Sequence, residues 1–121
     1  MERNVELLKK ILLYIELDQQ PDKLKYNITI DNYDSKVISY HIKLLVEAGF
    51  LEGKDLGFDI YLWGAKSLTN SGHDFLDAIR NDTIWNKTQD EIKRQGMNLK
   101  NIPLDMVKAL MIQVGKQMFG L

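Results

Sequence analysis

The sequence predicts an α+β fold, mostly helical, with a small antiparallel sheet in its first part and a helical extension at its C-terminal end. Three observations carry that prediction. Apolar residues recur at helical spacing in the opening, central and final stretches. Short runs with strand character, punctuated by glycine and aspartate, lie between the first two helices and after the second. At 121 residues the chain is the size of one domain and long enough to bury a core without metal or disulfide.

Composition narrows the chemistry. Forty-five per cent hydrophobic and 27% charged residues is ordinary for a globular chain. There are no cysteines, which excludes disulfides, thiolate-ligated zinc and thiol catalysis. No signal-peptide pattern is present, and no apolar run approaches the roughly 20 residues of a membrane span, so a cytoplasmic protein is expected. The net charge is −1, with an isoelectric point near 6.1. Residues 1–60 hold 8 basic against 11 acidic side chains; residues 61–121 hold 8 against 6. Dedicated nucleic-acid binders are usually basic on at least one face, so any DNA contact here needs a local basic patch.

The first helix is expected over residues 2–17, with Val5, Leu8, Ile11, Leu12 and Ile15 as its apolar face, widened by Leu7 and Tyr14. Pro21 and Asp22 close it. Tyr26 to Ile30 alternates in the manner of a short strand. Asp31 to Asp34 is turn chemistry, and Asp34 or Ser35 can cap the next helix. In that central helix Ile38, Ile42 and Leu45 share a face with Gly49, where positive φ ends it. Val37, Tyr40 and Leu44 form a second stripe that either packs or flanks a ligand-facing tyrosine. Leu51 to Leu56 and Asp59 to Trp63 read as a hairpin turning near Gly57-Phe58, and Gly64 to Ser67 as the lead-in to a helix capped by Thr69. Phe75, Leu76 and Ile79 supply that helix's core face. A further helix is expected over Thr83–Arg94, capped by Asp82 and stopped at Gln95-Gly96, with Ile84, Trp85, Thr88 and Ile92 inward. Pro103 opens a last helix carrying Leu104, Val107, Leu110, Met111, Val114 and Met118.

The run from Ser35 to Leu51, SKVISYHIKLLVEAGFL, resembles the recognition helix and first wing strand of bacterial winged helix-turn-helix regulators. Only Asp31 to Asp34 stand where those proteins place a further helix, so that helix is a single turn or is replaced by the strand. Three segments extend the likeness: Arg3 to Glu16, Ile38 to Gly49, and Leu68 to Lys87, the last being the most specific. On these the chain is similar to the bacterial and phage family named domain of unknown function 2513. The resemblance implies a winged-helix core over residues 1–81 with a helical extension over 82–121. It also implies a phage or prophage association, and it supplies no catalytic residues.

The candidate DNA-reading residues are Ser35, Lys36, Ser39, Tyr40 and Lys43 on the central helix, with Lys54 on the wing. Val107, Met111, Val114 and Met118 form a candidate homodimer or partner face on the last helix, where methionine-rich surfaces adapt to other helices. No enzyme signature emerges. His73, Asp77 and Ser71 sit on adjacent turns and are better explained by capping and an i, i+4 pair than as a triad. Two histidines without cysteine make a poor transition-metal site, and no glycine-rich phosphate loop occurs, so no cofactor is expected. The expected function is DNA binding by a transcriptional regulator; the alternative is a non-enzymatic protein-interaction module on the same scaffold.

Overall fold

A computed structural model describes residues 1–57 and 61–121. It contains α1 (Val5–Leu17), α2 (Ser35–Glu47), β1 (Leu51–Asp55), β2 (Trp63–Leu68), α3 (Asn70–Ile79), α4 (Asp82–Arg94), a 3₁₀ turn (Leu99–Asn101) and α5 (Leu104–Met118). The class is α+β and mostly helical, as the sequence predicts. The order of helix, bridge, helix and hairpin is consistent with a winged-helix-like layout. Two compact units are present, Met1–His73 and Asp74–Leu121, and the division falls within α3.

In the first unit α1 begins at Val5, because the Asn4 side chain accepts the Leu7 N–H at 3.1 Å and so caps the helix. Its apolar face is buried from Val5 to Ile15, Leu7 included, whereas Tyr14 lies outside. The helix α2 ends at Gly49, whose φ of +81° places it in the left-handed region. Phe50 N–H bonds Leu45 C=O at 2.9 Å and Gly49 N–H bonds Val46 C=O at 3.0 Å, the paired bonds of a Schellman stop. The chain then turns straight into β1.

The hairpin differs from the expected one. β1 pairs antiparallel with Trp63–Leu68; of the expected strand Asp59–Trp63, Trp63 pairs with Asp55 and Leu62 C=O accepts Leu56 N–H at 2.8 Å, while residues 59 and 60, like Phe58 of the expected turn, lie outside the described residues. Gly64 to Ser67, expected as a lead-in, is therefore the body of β2. Its small residues have low strand propensity, but packing selects them. A Cβ on Gly64 would lie 2.8 Å from a Leu56 methyl and 2.9 Å from Leu24 Cγ, and Ala65 is fully buried. A bulge between Glu52 and Gly53 shifts the register from Glu52↔Ser67 to Gly53↔Ala65.

The strand expected over Tyr26–Ile30 is reduced to one antiparallel bridge, Lys25 with Ala65, a residue earlier. The Lys25 ammonium explains the position. It donates to Asp18 Oδ2 at 2.6 Å, Gln20 C=O at 2.9 Å and Lys66 C=O at 2.5 Å, tying the end of α1 to β2. The same contact holds the Asp18 carboxyl below its ordinary range.

Thr69 caps α3 as expected and does a second job. Its hydroxyl accepts Gly72 N–H at 3.0 Å and donates to Gly49 C=O at 2.6 Å. Replacing Thr69 by valine is expected to cost about 1–2 kcal/mol, read as a lower urea midpoint with an unchanged m-value.

In the second unit α4 packs on α5. The α4 cap is Asn81, whose side chain accepts Ile84 N–H at 3.1 Å, and not Asp82, which is already helical. Trp85, Thr88 and Ile92 are buried as expected, while Ile84 is half-buried. On α5, Leu104, Val107 and Met111 are buried. Among the described residues no helix is long and apolar enough to cross a membrane.

Candidate functional site

The outward surface of α2 follows from its geometry. At 100° per residue, Ile38, His41, Ile42 and Leu45 occupy one side, and all four are buried. Lys36, Tyr40, Lys43 and Glu47 fall on the opposite side within an arc of about 60°. Ser35, Lys36 and Glu47 are exposed, and Tyr40 and Lys43 are half-buried. The Lys43 ammonium stands 6.0 Å from the Tyr40 ring centroid, close enough for a cation–π contact. The Tyr40 ring meets His41 edge-on at 5.7 Å. Val37 and Leu44, on the flank beyond Tyr40, are half-buried.

Ser39 leaves the predicted set. It is 5% exposed, and its Oγ accepts the Trp63 N–H at 3.4 Å, so it braces the base of the wing instead of facing outward. Lys54 is exposed on β1 opposite Gly64. The structure thus joins Lys36, Tyr40 and Lys43 in one stripe, keeps Ser35 exposed at the helix start, and sets Lys54 on the adjoining hairpin.

Tyr61 is a residue that sequence reasoning missed. Partial burial pushes its phenol up; Lys43 opposes that, while Tyr40, Glu47 and Asp55 reinforce it. Those couplings set Tyr61 near Tyr40, Lys43 and Glu47 of α2 and near Asp55 of β1. A cleft of about 640 Å³ opens next to it, lined by Tyr26 to Thr29, by Ser35, Lys36, Ile38, Ser39 and Ile42 of α2, and by Tyr61 and Leu62. The available signal was a tyrosine in each of two short segments with strand character, Tyr26 and Tyr61.

His41 fixes the register of α2 against the start of α1. It is fully buried; Nδ1 donates to Val37 C=O at 2.8 Å and Nε2 accepts Asn4 N–H at 2.9 Å. Nε2 can accept only in the neutral ring, whereas the Nδ1–H donation survives protonation. Burial lowers its pKa, opposed by the Val37 bond.

The predicted partner face of α5 divides. Val107 and Met111 are fully buried within the chain and cannot meet a second copy, because the helix turns that side inward. Val114 is half-buried and Met118 is 41% exposed; both line a groove of about 440 Å³ with Lys87, Glu91 and Arg94 of α4. Asp77 pairs with Arg80, and His73 is exposed. Among the described residues no group of three metal-ligating side chains converges.

Comparison with known families places residues 2–98 on a family model described as Hypothetical protein (DUF2513). An "Uncharacterized protein" of Haemophilus influenzae is 35% identical over 121 residues, covering 99% of this chain and 100% of that relative. No solved structure matches the chain.

Proposed function

The chain belongs to the DUF2513 family, and we propose that it is a cytoplasmic DNA-binding protein, a transcriptional regulator of phage or prophage origin, that reads duplex DNA with the outward stripe of α2. The observation that carries this reading is the stripe itself. Lys36, Tyr40 and Lys43 lie together on a helix that runs directly into a two-stranded hairpin bearing Lys54. A helix of this width enters a major groove, where lysine reaches phosphates and guanine edges. The hairpin lysine then contacts the flanking backbone.

The test is fluorescence anisotropy with labelled random duplex at ~50 and ~200 mM salt. Three lysine–phosphate contacts predict roughly 40-fold weaker binding at the higher salt. Lys36→Glu/Lys43→Glu is expected to weaken binding at least about tenfold at the lower salt. Absence of binding at ~50 mM salt, or a variant that binds as well as the parent, would sink the reading.

A second reading has its own supporting observation. Glu47 lies within the stripe, Asp55 stands near Tyr61, and Val37 and Leu44 leave apolar surface on its flank. That pattern suits a protein-interaction module that does not bind DNA.

A further inference from the structure

The cleft beside α2 is a gap in an interrupted sheet. Lys25 and Ala65 exchange both backbone hydrogen bonds at 2.8 Å. Continuing that antiparallel register in steps of two would set Asn27 opposite Trp63 and Thr29 opposite Tyr61. Neither pair forms. Trp63 N–H turns instead to Ser39 Oγ, and among the described residues the backbone groups of Tyr26 to Thr29 have no hydrogen-bond partner. The two segments part, and the space between them is the 640 Å³ cleft.

The lining says what would fit. Ile28, Ile38 and Ile42 form a buried apolar floor. Tyr26 and Tyr61, 50% and 39% exposed, stand at its sides. Among the described residues of the lining, Lys36 is the one charged side chain. We propose that this gap docks one extended segment of a partner protein, apolar at alternate positions and acidic where it passes Lys36. Such a segment supplies the missing ladder partner for the open backbone and sets every second side chain on the isoleucine floor. The lysine then selects an acidic residue and fixes the direction of the segment. This docking shares Lys36 with the DNA-reading stripe but does not rest on that reading, and it persists if the protein binds no DNA.

The experiment selects random nine-residue peptides displayed on phage against the full chain, then measures the enriched peptides, fluorescein-labelled, by anisotropy. Enriched sequences are expected to alternate apolar residues and to carry an acid. Their affinity is expected to fall at least about tenfold for Tyr26→Ala/Thr29→Pro and to lose its preference for the acid in Lys36→Glu. Amide exchange on the unaltered chain supplies a readout that needs no variant: Asn27 and Thr29 N–H should slow when peptide binds. No enrichment, peptides with helical spacing, or protection that appears elsewhere on the chain would each overturn the proposal.

Discussion

Gly72→Ala is expected to destabilise the first unit by about 3 kcal/mol, near the upper end for an overpacked site. A Cβ at Gly72 would lie 2.0 Å from Phe50 C=O oxygen and 2.9 Å from its carbonyl carbon. Both are backbone atoms, so no side chain can rotate away and the chain itself must move. The movement also strains the Thr69 hydroxyl, which bonds Gly72 N–H and Gly49 C=O. The expected readout is a large fall in the urea midpoint followed at Trp63, which belongs to the first unit. An alanine at neighbouring exposed Asn70 should stay within about 0.5 kcal/mol of the parent. A Gly72→Ala protein as stable as the parent would mean that the approach of α3 to Phe50 is looser than described.

His41→Leu is expected to cost about 2–4 kcal/mol, because Asn4 N–H loses its acceptor and the replacement does not reproduce the fully buried ring. The same residue gives stability a pH dependence whose sign is fixed. In the unfolded chain the imidazole titrates near its ordinary 6.5; in the folded chain burial holds it lower. Below about pH 6.5 the unfolded state binds more protons, so stability is full above that value and declines as the pH falls through the folded pKa. Urea midpoints at about pH 7.5 and about pH 5 should therefore drop for the parent and drop less for His41→Leu. Equal drops in the two proteins would remove His41 as the cause.

What the sequence revealed was mostly local chemistry. Gly49 stops α2 because only a left-handed residue closes that turn, and Thr69 caps α3 because its hydroxyl reaches an amide three residues on. The misplaced strand shows the limit. Gly64-Ala65-Lys66-Ser67 has no strand propensity, and only the proximity of Leu24 and Leu56 explains why small residues are required there. Ser39 looked like a groove-facing hydroxyl, yet a serine next to the core side of a helix serves equally as a brace, and its partner Trp63 is 24 residues away. Val107 and Met111 read as half of an apolar band, and periodicity alone does not say which half turns inward. The Tyr26 and Tyr61 cleft depends on where a ladder breaks off, which no local pattern records.

The two ends of α1 are fastened by groups that must both stay unprotonated. At the start, Asn4 N–H is held by a neutral imidazole; at the end, the Lys25 ammonium is held by an ionised Asp18. One is a base that must not gain a proton and the other an acid that must not regain one, and each is lowered from its ordinary value in the folded chain. Acid therefore works against α1 from both ends, while the buried face from Val5 to Ile15 carries no group that responds to pH.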